Sequence, residues 1–345
     1  MRYPNGEDLP VHLSNGRLRD PMLGRDVRRL RLLRDPLNWL GLIRDLSWRA
    51  HRPQQVPIVP TWPISRAELA DVRIAWPSRY ENALAAPMFE FAVNRFRRLL
   101  PVDVVDIPQV EPGVTTFVLY IGREEHLIAI DYFDFMHLNT RVVENCSLYF
   151  KMQHQEEGYA LANVLPGGYV AKRGLLYEHL PPLRKIRDAQ QFSYDVYGRF
   201  SLTFQPEVRH RMAELLSNQP DLDFEGGTKM VVYSRHLRDV ARSRVCIDVP
   251  GQGPLCHRLL DYLAIGSCVV GIRPKVALPV PLEHERHALW IRDDLADLVD
   301  VCRKQLTSPR TREELARNAR GYFDEFLHRD QLADYYLYSC LERLR

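Results

Sequence analysis

The sequence predicts an α/β protein with two Rossmann-like domains facing a cleft, a helical N-terminal extension and a C-terminal helix that crosses back. Three observations lead there. The chain has 345 residues, about twice a typical domain of roughly 150. Apolar runs of strand length alternate with segments of helical period, which implies mainly parallel sheets. The alternation breaks off in a loop-rich passage and restarts near Tyr194, so it describes two sheets.

Taken in order, residues 1–63 form a basic helical extension. Pro53 to Pro63 reads as an extended connector. Candidate strands follow at Val72 to Trp76, Val102 to Ile107, Thr115 to Gly122, His126 to Asp131 and Ser147 to Lys151. Between the first two, Leu84, Met88, Phe91, Val93 and Phe96 give Glu81 to Leu100 a helical spacing. Thr115 to Asp131 looks like a hairpin insertion turning at Gly122 to Glu125. This first domain spans 64–185. Pro166-Gly167-Gly168 and Pro181-Pro182 bracket a loop-rich passage that closes it.

The second domain, 190–327, opens with a strand at Tyr194 to Tyr197. Helix Glu207 to Leu216, a short strand near Leu222 to Phe224, helix Val232 to Arg242 and strand Val245 to Val249 come next. Helix Pro254 to Ile265, strand Ser267 to Ile272, a strand at Ala288 to Ile291 and helices from Asp294 onward complete it. Repeated βα units with short connections make a Rossmann-like sheet. Residues 328–345, rich in Tyr and Leu, form the helix expected to pack back on the first domain.

Hydrophobic residues make up 46% of the chain and charged ones 26%, with a net charge of +3, which excludes a dedicated nucleic-acid binder. The polar start and the lack of a long apolar run point to a cytoplasmic protein. Six scattered cysteines without C-x-x-C spacing read as buried reduced thiols. Ten arginines against four aspartates lie between Arg17 and Arg52, with Leu23, Val27, Leu30, Leu33, Leu37, Leu40 and Ile43 at spacings of three and four. This segment reads either as a helix packed on its own domain or as a basic face resting peripherally on an anionic inner membrane surface.

Chemistry concentrates in Ser243 to Gly271, SRVCIDVPGQGPLCHRLLDYLAIGSCVVG. A buried strand leads to Gly251 and Gly253, which allow a tight turn and a close ligand approach. Pro254 suits the first helical position, and the free amides of that helix start attract a phosphate. At about 100° per residue, Leu255, Leu259, Tyr262 and Leu263 share one stripe, and Pro254, His257, Arg258 and Asp261 the opposite one. Arg258 can pair with diphosphate oxygens and Asp261 can accept from ribose hydroxyls. The alternative is a helix-surface ion pair. Gly266 ends the helix.

This run resembles the donor-binding segment of GT-B glycosyltransferases and is most similar to the exostosin and CAP10-like groups, through Pro250, Gly251, Arg258, Asp261, Ala264, Gly266 and Val269-Val270. The likeness covers roughly Tyr194 to Leu327, and YSRHLRDVARSRVCIDVPG, which begins at Tyr233, resembles the family's approach to the loop. Those groups usually carry glutamate where Asp261 stands. Tyr197-Gly198-Arg199 is similar to the Gly-Arg that many such enzymes place against the donor phosphates, where an arginine offsets charge on the leaving diphosphate without a bound metal. A surface arginine is the alternative. The resemblance implies a metal-independent transfer from a nucleoside-diphosphate sugar, with no cofactor, to a glycan, lipid-linked glycan or small-molecule acceptor. Its donor candidates are Arg199, Tyr233, Pro250, Gly251, Gly253, Arg258 and Asp261.

An inverting transfer needs a base near the acceptor hydroxyl. Asp131, Asp134 and His137, following the strand His126 to Asp131, are the catalytic candidates, with a capped strand-to-loop junction as the alternative. Lys151 and the Asn163 to Tyr169 loop are further cleft candidates by similarity to YFK and NxxP-type stretches, with Lys172 and Arg173 just beyond. Asp221-Leu-Asp223 has the D-x-D form of a metal site but lies inside regular alternation, so it is discounted. Two rival functions stay open: a non-catalytic nucleotide-sugar-binding or scaffolding protein, and a Rossmann-type enzyme acting on another phosphorylated ligand.

Overall fold

The computed structural model describes residues 56–81, 88–109, 111–171, 174–229 and 231–345, together with Pro36, Asn38, Trp39, Leu40 and Ile43. The first sheet has six strands: β1 (Val72–Pro77), β2 (Val102–Val105), β3 (Val114–Ile121), β4 (Glu124–Asp131), β5 (Leu148–Lys151) and β6 (Val164–Pro166), in the order β2-β1-β3-β4-β5-β6. It is mixed. β1 pairs in parallel with β2, and β4 with β5 and β5 with β6, but β3 runs antiparallel to both β1 and β4. The hairpin expected as an insertion is therefore integral to the sheet centre. Helix α1 (Glu90–Phe96) is much shorter than the periodicity suggested, and residues 82–87 lie outside the described ones. A short α2 (Thr140–Val143) connects β4 to β5.

Pro181 and Pro182, read as loop residues, sit inside a fourteen-residue helix, α3 (Leu175–Asp188). Two prolines remove two backbone donors, but Leu176, Leu180 and Leu183 are buried on one face and tertiary packing carries the helix through. Arg184 Nε donates to Ala264 O at 2.8 Å, and Arg187 Nε to Gly266 O at 2.9 Å. Both guanidiniums therefore neutralise the carbonyl end of the helix that ends at Ile265.

The second sheet is wholly parallel: β7 (Tyr194–Arg199), β8 (Phe224–Gly227), β9 (Ser243–Asp248), β10 (Cys268–Ile272) and β11 (Leu289–Ile291), in the order β11-β10-β9-β7-β8. Crossover helices α4 (Pro206–Ser217), α5 (Tyr233–Ala241) and α6 (His257–Ile265) link them. The order reverses between β7 and β9, which makes that pair the topological switch point of a doubly wound sheet. Period-2 alternation sorts the strands. Val196, Val245, Ile247, Cys268 and Val270 face one apolar cluster, while Tyr197, Cys246 and Val269 face the other.

That other cluster is continuous across both lobes, running from Trp76 and Phe117 through Leu259 and Tyr262 to Tyr336. Helices α7 (Leu298–Thr307) and α8 (Pro309–Tyr322) and a π-helical turn at Phe323–Leu327 lead to α9 (Arg329–Leu344). Helix α9 packs on α1 of the first lobe. Asp334 accepts two hydrogen bonds from Arg95, both at 2.7 Å, and Tyr336 donates to Gly167 O at 2.6 Å. All six cysteines are free and buried, and burial pushes the Cys146, Cys246, Cys256 and Cys268 thiols up to about 12. The basic N-terminal helix lies largely outside the described residues. Among the described residues no helix is long and apolar enough to cross a membrane.

Candidate functional site

A cavity of about 340 Å³ opens where the switch point predicts one, outside the carboxyl ends of β7 and β9. Arg199, Phe200 and Ser201 reach it from the end of β7, Val231, Tyr233 and His236 from the start of α5, and His257, Arg258 and Asp261 from the start of α6. Ala171 adds a wall from the chain that leaves the first sheet. Neither α5 nor α6 has a side-chain hydrogen bond from its N-cap residue, Val232 or Cys256, so the positive ends of both helix dipoles border the cavity.

Arg258 is held on three sides. Its Nη2 donates to Val249 O at 2.7 Å, its Nε lies 3.6 Å from Asp248 Oδ1, and its guanidinium stacks 4.8 Å from the Phe200 ring centre. Its Nη1 has no hydrogen-bond partner among the described residues. Asp248 lies beneath it at the end of β9. Burial pushes that carboxyl up to about 6, against the pull of Arg258 and Arg209. Arg209, unnoticed in the sequence, donates from Nη2 to Pro250 O at 2.7 Å and from Nη1 to Ser201 O at 2.5 Å, clamping the loops after β9 and β7 together.

Asp261 is a hub. Tyr233 Oη donates to its Oδ1 at 2.6 Å, and His236 Nε2 lies 3.2 Å from its Oδ2. The other ring nitrogen of His236 is 2.9 Å from Tyr197 Oη. An ionised Asp261 makes Nε2 the protonated nitrogen and leaves Nδ1 to accept from Tyr197. His236 sits one turn into a helix of polar residues and carries no motif, so local spacing could not single it out. Arg199 borders the cavity but is turned toward β8, donating to Lys229 O at 2.7 Å and pairing with Glu225.

Pro250, Gly251 and Gly253 lie behind this wall. Helix α6 starts at His257 with Cys256 as its N-cap, three residues after Pro254, which is therefore not the first helical residue. The intervening turn is closed by Gly251 N donating to Gly253 O at 3.0 Å. A Cβ on Gly253 would sit 2.5 Å from Gln153 Nε2 and 2.7 Å from Asp134 O. The close approach expected of a ligand is thus made by the first lobe. Gln153, fully buried, accepts from Leu255 N at 3.1 Å and donates to Leu255 O and to Asp134 Oδ1, both at 3.2 Å.

The catalytic candidates separate. Asp131 is buried and takes three donors: Tyr149 Oη at 2.5 Å, Phe133 N at 2.7 Å and Lys151 Nζ at 2.8 Å. Lys151 is fully buried and pairs with Asp131 inside the first lobe, and neither borders the switch-point cavity. Asp134 stands at the seam between the lobes. His137 is exposed, its ring stacked 5.4 Å from Phe135. Partial desolvation and the nearby Lys151 charge hold its imidazole below the ordinary value. Lys172 and Arg173 lie outside the described residues. The D-x-D segment is tied up, with Asp221 taking two hydrogen bonds from Arg303 at 2.8 Å each.

No protein-family model matches the sequence, and no curated protein matches it. Among solved structures the chain is similar to Anabaena HepE in complex with UDP-glucose, at 14% identity and a TM-score of 0.40, over 75% of this chain and 78% of that one. It is similar to Anabaena HepE in complex with UDP and glucose at 12% identity and 0.40, over 76% and 77%. A glycosyltransferase from Rickettsia africae is similar at 13% identity and 0.29, over 48% and 45%.

Proposed function

We propose that the chain is a glycosyltransferase that binds a nucleoside-diphosphate sugar in the switch-point cavity and transfers the sugar to an acceptor held by the first lobe. One observation carries this reading: two uncapped helix starts, a guanidinium with a free edge and a hydrogen-bonded carboxylate all border one cavity. Helix amides and Arg258 suit a diphosphate. Asp261, with one hydrogen bond on each oxygen, keeps lone pairs for vicinal hydroxyls. The exostosin and CAP10-like resemblance of Ser243 to Gly271 is the narrower form of the same reading. Asp134 and His137 are then the base candidates, and Arg199 acts on the leaving diphosphate only after exchanging its Glu225 partner. No metal is invoked.

The test is thermal unfolding of the full chain with UDP, GDP, dTDP and CMP and their sugars, followed by donor hydrolysis. A nucleotide at 100 times its Kd adds about 2.7 kcal/mol of stability. Arg258→Gln should remove that stabilisation while the unliganded protein stays folded. A full shift retained in Arg258→Gln, or no shift with any nucleotide, rejects the site. Binding without hydrolysis or transfer to any acceptor would favour the non-catalytic alternative.

A further inference from the structure

A second cavity, of about 240 Å³, lies where the start of α9 meets α1, α3 and the connector that precedes the first sheet. It shares no lining residue with the switch-point cavity. Part of its wall is apolar, built from Val56, Pro57, Ile58 and Pro60 of the connector and Leu180 of α3. That wall is fixed in place. Gln331, fully buried in α9, donates to Val59 O at 2.7 Å and accepts from Thr61 N at 3.1 Å.

The rest of the wall is polar, and its ion pairs are closed except at one group. Asp334 is taken by both nitrogens of Arg95, and Asp330 Oδ1 accepts from Arg98 Nη2 at 2.9 Å. Arg329 has no ion pair or hydrogen bond through its side chain among the described residues, and its guanidinium lies 4.4 Å from the ring centre of Tyr177. Three guanidiniums against two carboxylates therefore leave one positive charge, and it resides on Arg329. His328, 7% exposed, adds a donor. Its Nδ1 accepts from Asp330 N at 3.2 Å, and burial holds the imidazole below its ordinary value, so the neutral ring carries its proton on Nε2. That nitrogen has no hydrogen-bond partner among the described residues. Both residues stand at the start of a sixteen-residue helix, whose dipole adds to the positive potential there.

These features select the occupant. A neutral molecule would leave the charge of Arg329 uncompensated in a half-apolar cavity. A phosphate dianion would exceed that single charge beside Asp330 and Asp334, and has no use for the apolar wall. The volume falls below the roughly 300–1,000 Å³ of drug-sized sites, so the molecule is small. We infer that this cavity binds a small organic monocarboxylate, its carboxylate on Arg329 and the Nε2 hydrogen of His328 and its apolar body against Ile58 and Leu180. The inference does not use the transferase reading, and its experiment reads binding alone.

The experiment is titration calorimetry of the full chain with benzoate, with its neutral counterpart benzamide and with inorganic phosphate. Saturable benzoate binding at one site, about tenfold or more tighter than that of either other probe and weakened at least about tenfold in Arg329→Gln, supports the inference. Arg329 breaks no ion pair when replaced, so this variant should melt with the wild type. Arg258→Gln, in the other cavity, should leave benzoate binding unchanged. No saturable benzoate binding, equal affinity for benzamide or phosphate, binding that survives Arg329→Gln, or binding that Arg258→Gln removes overturns it. If Arg329→Gln fails to fold, Ile58→Trp decides, since it narrows the cavity and keeps the guanidinium: undiminished benzoate binding in that variant overturns the inference, and its loss supports it.

Discussion

Lys151→Met tests whether Lys151 is scaffold or machinery. The side chain is fully buried, donates to Asp131 Oδ2 at 2.8 Å and to Phe133 O at 3.2 Å, and leaves the buried Asp131 carboxyl without its partner when it is removed. Stranding one member of a buried pair costs about 3–5 kcal/mol. The lower end applies, because Tyr149 and Phe133 N still solvate Asp131. At about 2–4 °C per kcal/mol for a domain of this size class, the midpoint should fall by roughly 6–12 °C. The double variant Asp131→Leu/Lys151→Met should recover part of that loss, since it removes the uncompensated charge. Differential scanning calorimetry and urea unfolding by circular dichroism give both quantities. If Lys151→Met melts with the wild type yet loses sugar transfer, the assignment of this pair to the scaffold is wrong.

Three further outcomes follow from the geometry. Asp248 has a folded pKa raised from 3.8 to about 6, so the folded state holds its proton more tightly than the unfolded chain. Its contribution is complete below pH 4 and disappears as pH rises through 6, about 3 kcal/mol at 1.36 per unit. Asp248→Asn should flatten that limb of the Tm profile relative to wild type; identical profiles refute the assignment. Gly253→Ala drives a Cβ into Gln153 and Asp134 and should cost about 1–3 kcal/mol, with calorimetry showing a loss of at least 1. Tyr233→Phe removes one donor to Asp261 and should weaken nucleotide binding by about tenfold or less in titration calorimetry, whereas Asp261→Ala should weaken it more.

The second lobe was readable because each strand and crossover helix is short, local and periodic. Tyr194, Ser243 and Cys268 begin β strands within two residues of their expected starts. Misreadings arose where a distant contact overrides local chemistry. Pro181 and Pro182 signal a break, yet the helix containing them is held by Ala264, Gly266 and Asp324. Gly253 was read as room for a ligand, but its neighbour is Gln153, a hundred residues upstream and invisible to periodicity. Asp131 and Lys151 share a sheet register, Asp131↔Lys151, that pattern reading could not supply. Arg199, Tyr233, Arg258 and Asp261, expected as donor-binding residues, all line the cavity, whereas His236 beside them and Arg209 behind them needed the fold to bring them in.

Helix α9 closes the first lobe from the far end of the chain, with Arg95 on Asp334 and Tyr336 on Gly167. Cutting the polypeptide near residue 190 would therefore not yield two autonomous halves. The upstream fragment should be insoluble by itself and be rescued by adding a peptide of residues 328–345 in trans.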